Sequence, residues 1–111
     1  IVDRLKDMIA VGGFKVYPSV VEAHLYEHPA VKEAIVLGVP DAYRGEAPKA
    51  FVTLEEGYEI SGEAIAAWLN PRLGKHERVN AVEVRPTLPK TMIGKLDRKA
   101  LRAEAGASAT G

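Results

Sequence analysis

The sequence contains no cysteine, which excludes disulfide bonds and catalysis by a thiolate of this chain. It also lacks an excess of charge of either sign, because fifteen basic residues balance fifteen acidic residues. Proteins that bind nucleic acid through bulk electrostatics carry a basic excess, so no nucleic acid is expected among the partners. Aromatic residues make up only 6% of the chain, too few to wall an acyl-binding pocket.

Long apolar runs are absent as well. No stretch approaches the about 20 consecutive apolar residues that a transmembrane helix needs. The N-terminal stretch IVDRLKDMIAVGG is too short and too interrupted by charge for a signal peptide. We therefore expect a cytoplasmic protein with no transmembrane segment. The chain begins at Ile1, without a methionine, a cap or a turn, so we expect it to be a piece of a longer protein.

What is present suits one compact domain. The length of 111 residues is that of an ordinary domain, and an apolar content of 47% is enough for a hydrophobic core. The final stretch AEAGASATG is small and polar. We therefore expect a folded domain over residues 1–103 and a disordered tail over 104–111.

The first third of the chain carries the signals of a β-hairpin followed by a helix. Gly12 and Gly13 separate two short β-prone apolar runs, which is typical of a hairpin turn. Pro18 suits the first turn of a helix, where its missing N–H is not needed. The helix is expected to end before Pro29.

Two strands and a second helix follow. Residues 31–39 contain the continuous apolar run AIVLGV, which predicts a strand buried on both faces. Alternation over residues 50–54 predicts another strand. Ser61 is placed to cap a helix that Pro71 then kinks or ends.

The C-terminal part adds a third strand, which carries Val82 and Val84 on one face, and a helix over residues 96–103 anchored by Leu101. The full order is hairpin, helix, strand, strand, helix, strand, loop and helix. This order predicts an α+β fold, with a small mixed β-sheet, packed helices and an N-terminal β-hairpin.

Lys95 is the first candidate functional residue. A P-loop needs glycine and serine or threonine where this chain has Pro89 and Leu96, so that motif is excluded. Gly94 nevertheless allows close approach to a ligand, and a lysine can reach a phosphate or a developing oxyanion. Taken alone, Lys95 is better explained as a solvated lysine near the start of a helix.

The segment around Lys95 is basic. A single acidic residue, Asp97, stands among six basic residues there: Arg85, Lys90, Lys95, Arg98, Lys99 and Arg102. Such a cluster either attracts an anionic ligand or an acidic face of another domain, or forms a solvated helix face.

The histidines give no convincing metal-binding pattern. His24 and His28 are four residues apart and could share a helix face, as zinc ligands do. No third ligand is evident, so a surface pair is the preferred interpretation and no metal site is predicted. No Ser-His-Asp or Cys-His arrangement can be identified either.

Three ordered blocks cover almost the whole chain: VDRLKDMIAVGGFKVYPSVVE, HPAVKEAIVLGVPDAYRGEAPKAFV and LPKTMIGKLDRKAL. On these blocks the sequence resembles the C-terminal domain of the adenylate-forming enzymes, namely acyl-CoA synthetases, nonribosomal peptide synthetase adenylation domains and luciferases. The last block follows the family pattern Pro-x-x-x-x-Gly-Lys-x-x-Arg through Pro89, Gly94, Lys95 and Arg98. The first two blocks are most similar to fatty-acid–CoA ligases.

The resemblance implies a two-step reaction with ATP and CoA as substrates. A carboxylate, here a fatty acid, forms an acyl-adenylate, and the CoA thiol then displaces AMP. The partner is an N-terminal domain of the same chain, which holds most of the ATP and acyl pocket. The C-terminal domain is a lid that rotates between the two steps. Mg²⁺ is expected in the full-length enzyme, bound mainly outside this fragment.

The resemblance also gives roles to cationic residues near ATP. Lys95 matches the lysine that contacts the carboxylate and the α-phosphate during adenylation, which is electrostatic catalysis. Arg4 matches an arginine near the ATP ribose. Lys15 lies where some relatives place a basic group near phosphate.

Other positions match the hinge and the thiol channel. Lys6 corresponds to the hinge, where a backbone turn swings the whole domain. Gly12 and Gly13 correspond to a hairpin that faces the active site during thioester formation, where bulk would obstruct the pantetheine arm. The resemblance thus implies that two different faces of the domain serve the two steps.

The contacts with the CoA nucleotide are less regular. Arg44, His76 and Arg78 occupy the regions that contact this nucleotide in some thioester-forming relatives. The chain departs there from the family's Lys-Tyr-Lys-x-Pro sequence, and Glu77 adds an opposing charge.

Two alternatives remain beside the acyl-CoA synthetase. The same lid could belong to an adenylation domain that loads a carrier protein, because both thiols present the same pantetheine arm. The chain could also be a stand-alone binding module without a catalytic duty. In either enzyme the fragment alone is expected to be inactive, since it lacks a phosphate-binding loop.

Overall fold

The structure, a computed structural model, describes residues 8–43, 45–75 and 77–110. Helices and strands follow one another in the predicted order. They are β1 (Ile9–Val11), β2 (Phe14–Val16), α1 (Pro18–Leu25), β3 (Val31–Asp41), β4 (Gly45–Leu54), α2 (Gly62–Leu69), β5 (Ala81–Val84) and α3 (Arg98–Thr110). Among these described residues, none of the helices is both long enough and apolar enough to cross a membrane.

A long antiparallel pair, β3 and β4, forms the centre of the sheet and pairs Val31 with Leu54 at one end. The first residue of β4, Gly45, also pairs with Val11 of antiparallel β1, which in turn pairs with β2. Residues 49–52 of β4 pair with β5 in parallel. The predicted α+β fold with a mixed sheet and an N-terminal hairpin is therefore confirmed.

The middle of β3 is buried on both faces, as its apolar run predicted. Ala34 and Val36 lie in a core cluster with residues of β1, α1 and α2, whereas Ile35 and Leu37 lie in a second cluster with Leu101 of α3. Successive residues of a strand point to opposite faces. Helices α1 and α2 therefore cover one face of the sheet, and α3 covers the other.

Local sequence signals account for three of the element boundaries. Gly12 and Gly13 have φ angles of 56° and 86°, and a two-residue hairpin turn of type I′ requires positive φ at both positions. Pro18 opens α1, where its missing N–H costs nothing. The Ser61 hydroxyl caps α2 by accepting a hydrogen bond from the Ala64 N–H at 3.1 Å.

Other boundaries differ from the predictions. β4 begins at Gly45 rather than at residue 50, because backbone pairing with β3 continues through Pro48 without an apolar alternation. α3 begins at Arg98 because Leu96 pairs with Lys90 in an isolated antiparallel bridge. The helix then continues to Thr110, so the boundary drawn at residue 103 lies inside it. Disorder of the tail over 104–111 stays a prediction.

Candidate functional site

Lys95 lies on a tight loop that closes on itself. Lys90 and Leu96 pair in an antiparallel bridge at the base of the loop. Above this bridge the Thr91 N–H donates to the Lys95 carbonyl at 2.7 Å, and the Lys95 N–H donates to the Thr91 hydroxyl at 3.3 Å. The Gly94 N–H donates to the Thr91 carbonyl at 2.9 Å, and Gly94 adopts a φ of 83°. The backbone at Lys95 is thus fixed by the loop itself.

The base of this loop is held by the start of α3 and by the core. The Asp97 N–H donates to the Pro89 carbonyl at 2.8 Å, and the Asp97 carboxylate accepts from the Ala100 N–H at 2.9 Å, which caps the helix. Leu88 is buried in the same core cluster as Leu101, and Leu96 packs against that cluster. Both ends of the loop are therefore anchored to one face of the sheet.

Arg98 joins this loop to the opposite side of the fold. One guanidinium nitrogen donates to the Val36 carbonyl at 2.6 Å, and another lies 2.8 Å from a Glu22 carboxylate oxygen. The same Glu22 oxygen accepts a hydrogen bond from the Val36 N–H at 2.8 Å. The side chains are mostly buried, with 26% of Arg98 and 14% of Glu22 exposed. The contacts fix the start of α3 against α1 and β3.

Most of the basic cluster around Lys95 is used within the fold. Arg85 pairs with Glu104 at 2.8 Å, and Lys90 pairs with Glu33 at 2.9 Å. Lys95 is different: its side chain is exposed, and no hydrogen bond or ion pair is assigned to its ammonium group within the part of the chain that the structure describes. An unpaired ammonium group on a fixed loop is available to an anion outside this domain.

The Gly12–Gly13 turn is held in a different way. Val11 pairs with Gly45, and the Ala10 N–H donates to a Glu46 carboxylate oxygen at 3.0 Å. A Cβ atom built at either glycine would meet no heavy atom of the described residues within 4 Å. The glycines are therefore required by their backbone angles and not by packing inside the domain. A side chain at Gly12 or Gly13 could therefore clash only with groups other than the described residues.

Of the remaining candidate residues, the structure describes Lys15 and Arg78. Lys15 is exposed on β2, opposite Ala10 of β1. Arg78 is exposed just before β5. Its neighbour Glu77 accepts a hydrogen bond from the Gly74 N–H at 3.1 Å, so part of the opposing charge is engaged locally. The structure shows Lys15 and Arg78 at the surface but brings neither into contact with Lys95.

Four predicted site residues lie outside the described residues. They are Arg4, Lys6, Arg44 and His76. Their roles stay predictions from the resemblance.

The expected surface pair of histidines is wrong for His28. This residue is only 8% exposed, its Nδ1 accepts a hydrogen bond from the Ala30 N–H at 3.0 Å, and its ring lies edge-on to Trp68 with 4.8 Å between centroids. The side chain is thus buried against Trp68 of α2. Within the ranges that the structure describes, no group of three or more histidine or acidic residues could hold a metal ion.

Sequence patterns missed the partners that hold Lys95 in place. Glu22 lies on α1 and Arg98 on α3, so no local spacing relates them. Thr91 did carry a signal, because a threonine four residues before the lysine can bond to its backbone N–H.

The Lys95 loop and the Gly12–Gly13 turn are attached to different strands, β3 and β4.

Comparison with known proteins gives a consistent result. The family described as "AMP-binding enzyme C-terminal domain" matches residues 20–95. The chain is 47% identical over 104 residues to the long-chain-fatty-acid–CoA ligase of Bacillus subtilis (strain 168), covering 94% of this chain and 19% of that protein. It is 42% identical over 106 residues to the feruloyl-CoA synthase of an Amycolatopsis species, covering 96% and 22%.

A solved structure of a fatty acyl CoA synthetase from Mycobacterium tuberculosis shares the fold. Its TM-score is 0.85 at 34% sequence identity, over 96% of this chain and 21% of that one. The chain thus spans about a fifth of the length of the curated relatives that it matches.

Proposed function

The chain belongs to the AMP-binding enzyme C-terminal domain family, and from this premise we propose that it is the mobile C-terminal lid of an AMP-forming acyl-CoA synthetase. The proposal is carried by the ammonium group of Lys95, which is exposed, has no partner among the residues that the structure describes, and lies on a loop whose backbone is fixed. A lid needs such a group, because it must bring charge to a reaction centre that the rest of the enzyme builds.

In the first half-reaction a carboxylate oxygen forms a bond to the α-phosphorus of ATP, and the bond to the pyrophosphate oxygen breaks. Negative charge redistributes over the carboxylate and α-phosphate oxygens in the transition state. Lys95 stabilises this charge by hydrogen bonding and by electrostatic attraction. Arg4 and Lys15 contact the nucleotide from the same domain.

In the second half-reaction the CoA thiol loses its proton and attacks the acyl carbon, and AMP leaves with the bonding electron pair. The lid rotates about Lys6 so that Gly12 and Gly13 replace Lys95 at the active site. The empty space around both glycines supports this role, since it leaves room for a pantetheine arm. Arg44, His76 and Arg78 contact the CoA nucleotide.

The acid is proposed to be a fatty acid, supported by the 47% identity to a long-chain-fatty-acid–CoA ligase. Identity to a feruloyl-CoA synthase is nearly as high, so the choice of acid rests with the acyl pocket of the larger domain. Mg²⁺ is proposed to bind mainly in that domain, as the family resemblance implies.

The test measures the two half-reactions separately in the full-length enzyme. Lys95→Ala is expected to lower the rate of ATP–pyrophosphate exchange by about a thousandfold, the upper range for loss of one charge-stabilising group. Thioester formation from preformed acyl-adenylate should be retained. Lys99→Ala, which removes an exposed lysine close by in sequence, should change neither rate.

Equal loss in both half-reactions would contradict the proposed division of labour. The isolated domain should give no ATP–pyrophosphate exchange at all, because it lacks a phosphate-binding loop. Exchange by the pure fragment would refute its assignment as a lid. An acceptor assay with CoA against a phosphopantetheine-loaded carrier protein decides between the two thiols.

A further inference from the structure

The tip of the Lys95 loop is apolar and fully exposed. Met92 has 105% and Ile93 has 76% of its surface accessible to solvent. Scattered exposed apolar side chains are common in proteins, but two adjacent ones at the turn of a loop are a candidate contact surface. Among the other large hydrophobic side chains that the structure describes, only Tyr43, at 98%, is comparably exposed.

The tip cannot bury itself within its own domain without breaking the loop. Three hydrogen bonds among Thr91, Gly94 and Lys95 close the loop below the tip. The contacts of Arg98 with Glu22 and with the Val36 carbonyl fix its base. Because the backbone of the loop is rigid, less entropy is lost when the two apolar side chains are bound.

Lys95 and the tip must arrive at the active site together. Ile93 is two residues from Lys95, so their Cα atoms can be at most about 7 Å apart. When Lys95 reaches the reacting carboxylate and α-phosphate, Met92 and Ile93 are therefore carried to the surface of the larger domain beside that site. In the rotated pose, with the Gly12–Gly13 turn at the active site, they move away from this surface.

We propose that Met92 and Ile93 dock into an apolar recess of the larger domain, beside the adenylation site, and thereby stabilise the adenylation pose relative to the thioester-forming pose. This inference rests on the proposed function. Because the tip is buried in only one of the two poses, its burial shifts the equilibrium between them. The recess belongs to the roughly four fifths of the enzyme that the chain does not span.

A lipid surface is the other partner that suits a basic, apolar loop. The larger domain is favoured, because two side chains bury too little area for stable membrane attachment and because Lys95 needs the same approach path. The two partners give opposite results when the oxidation of Met92 is measured.

The first experiment measures the oxidation of Met92 by hydrogen peroxide in the full-length enzyme, by mass spectrometry of the digested protein. An added methionine peptide corrects for the oxidant dose. A non-hydrolysable acyl-adenylate analogue that traps the adenylation pose is expected to slow the oxidation at least fivefold. Unchanged oxidation with the analogue overturns the proposal, and so does protection that appears only with vesicles of anionic phospholipid.

The second experiment replaces the tip by Met92→Ser together with Ile93→Ser in the full-length enzyme. Loss of two apolar contacts made only in one pose should lower kcat/KM for adenylation about a hundredfold. Thioester formation from preformed acyl-adenylate should be unchanged or faster. The matched control is Tyr43→Ser, which removes a similarly exposed apolar side chain elsewhere and should leave adenylation unchanged.

The outcomes separate this inference from the proposed function. If Lys95→Ala abolishes adenylation while the double tip variant retains it, the docking proposal fails and the lid function stands. If neither affects adenylation, the proposed function fails. A loss with Tyr43→Ser equal to that of the tip variant would show a general effect of surface apolarity and would also overturn the proposal.

Discussion

The Lys95 loop and the Gly12–Gly13 turn are both tight turns with positive φ at glycine, yet they are built for opposite purposes. The Lys95 loop presents side chains, and its hydrogen bonds and its contact through Arg98 fix the backbone that carries them. The Gly12–Gly13 turn presents backbone without side chains, and none of the described residues fills the space where a Cβ atom would lie. In the proposed function the first turn acts through a side chain and the second through the absence of one, so substitutions in the two turns should have different effects.

The largest effect on thioester formation is expected at the Gly12–Gly13 turn. Gly13→Leu in the full-length enzyme should slow thioester formation about a hundredfold, because a side chain there displaces the arm of the thiol from its reactive position. ATP–pyrophosphate exchange should change little. Gly13→Ala is the control, since it imposes the same strain at a φ of 86° with far less bulk. Equal losses with alanine and leucine would assign the effect to backbone strain alone.

The second largest effect is expected at Arg98, which anchors the Lys95 loop. Arg98→Leu should lower the free energy of unfolding of the isolated domain by about 2 kcal/mol, because it leaves the mostly buried Glu22 carboxylate without its cation. Urea denaturation followed by circular dichroism measures this. The double variant with Glu22→Leu should recover part of the loss. Additive losses in the double variant would show that the pair does not couple.

Glu46 anchors the Gly12–Gly13 turn through a weaker contact. Glu46→Ala removes the acceptor of the Ala10 N–H and should cost about 1 kcal/mol of stability, as for one hydrogen bond at an exposed site. Its functional effect should fall on thioester formation and not on adenylation. Glu46→Gln keeps a side-chain oxygen and should behave like the unchanged protein. A selective loss of adenylation with Glu46→Ala would contradict the separate attachment of the two turns.

The smallest effect is expected for a substitution inside the Lys95 loop. Thr91→Val removes the hydroxyl that accepts the Lys95 N–H at 3.3 Å, at a cost below about 1 kcal/mol. Adenylation should fall only a few fold, because the backbone bond from Thr91 to the Lys95 carbonyl remains. Thr91→Ser should restore the rate. No difference between valine and serine would show that the hydroxyl does not contribute to the position of the lysine.

The elements of the fold could be predicted from the sequence because each has a local signal. Gly12 and Gly13 mark their own turn, Ser61 caps its own helix, and the run AIVLGV reports burial on both faces. These features depend on residues that are adjacent or a few positions apart. Their physical causes can be read without knowing the tertiary structure.

Contacts between distant elements could not be predicted in this way. His28 has the polarity of a surface residue, but Trp68 and the Ala30 N–H give it a buried site. Arg98 belongs to the family pattern, but its partner Glu22 lies on the first helix. The proposed role of Lys95 rests on the family resemblance, because the local sequence alone indicates a solvated lysine.

The isolation of Met92 and Ile93 from their own domain has a consequence for evolution and for engineering. Neither side chain supports the fold, so drift at these two positions costs this domain almost nothing in stability. This domain, transferred to a different synthetase, would therefore be expected to fold and to retain Lys95. If Met92 and Ile93 dock as proposed, they would not match the recess of the new partner domain, and changing these two residues would be the first step to restore the activity of such a hybrid.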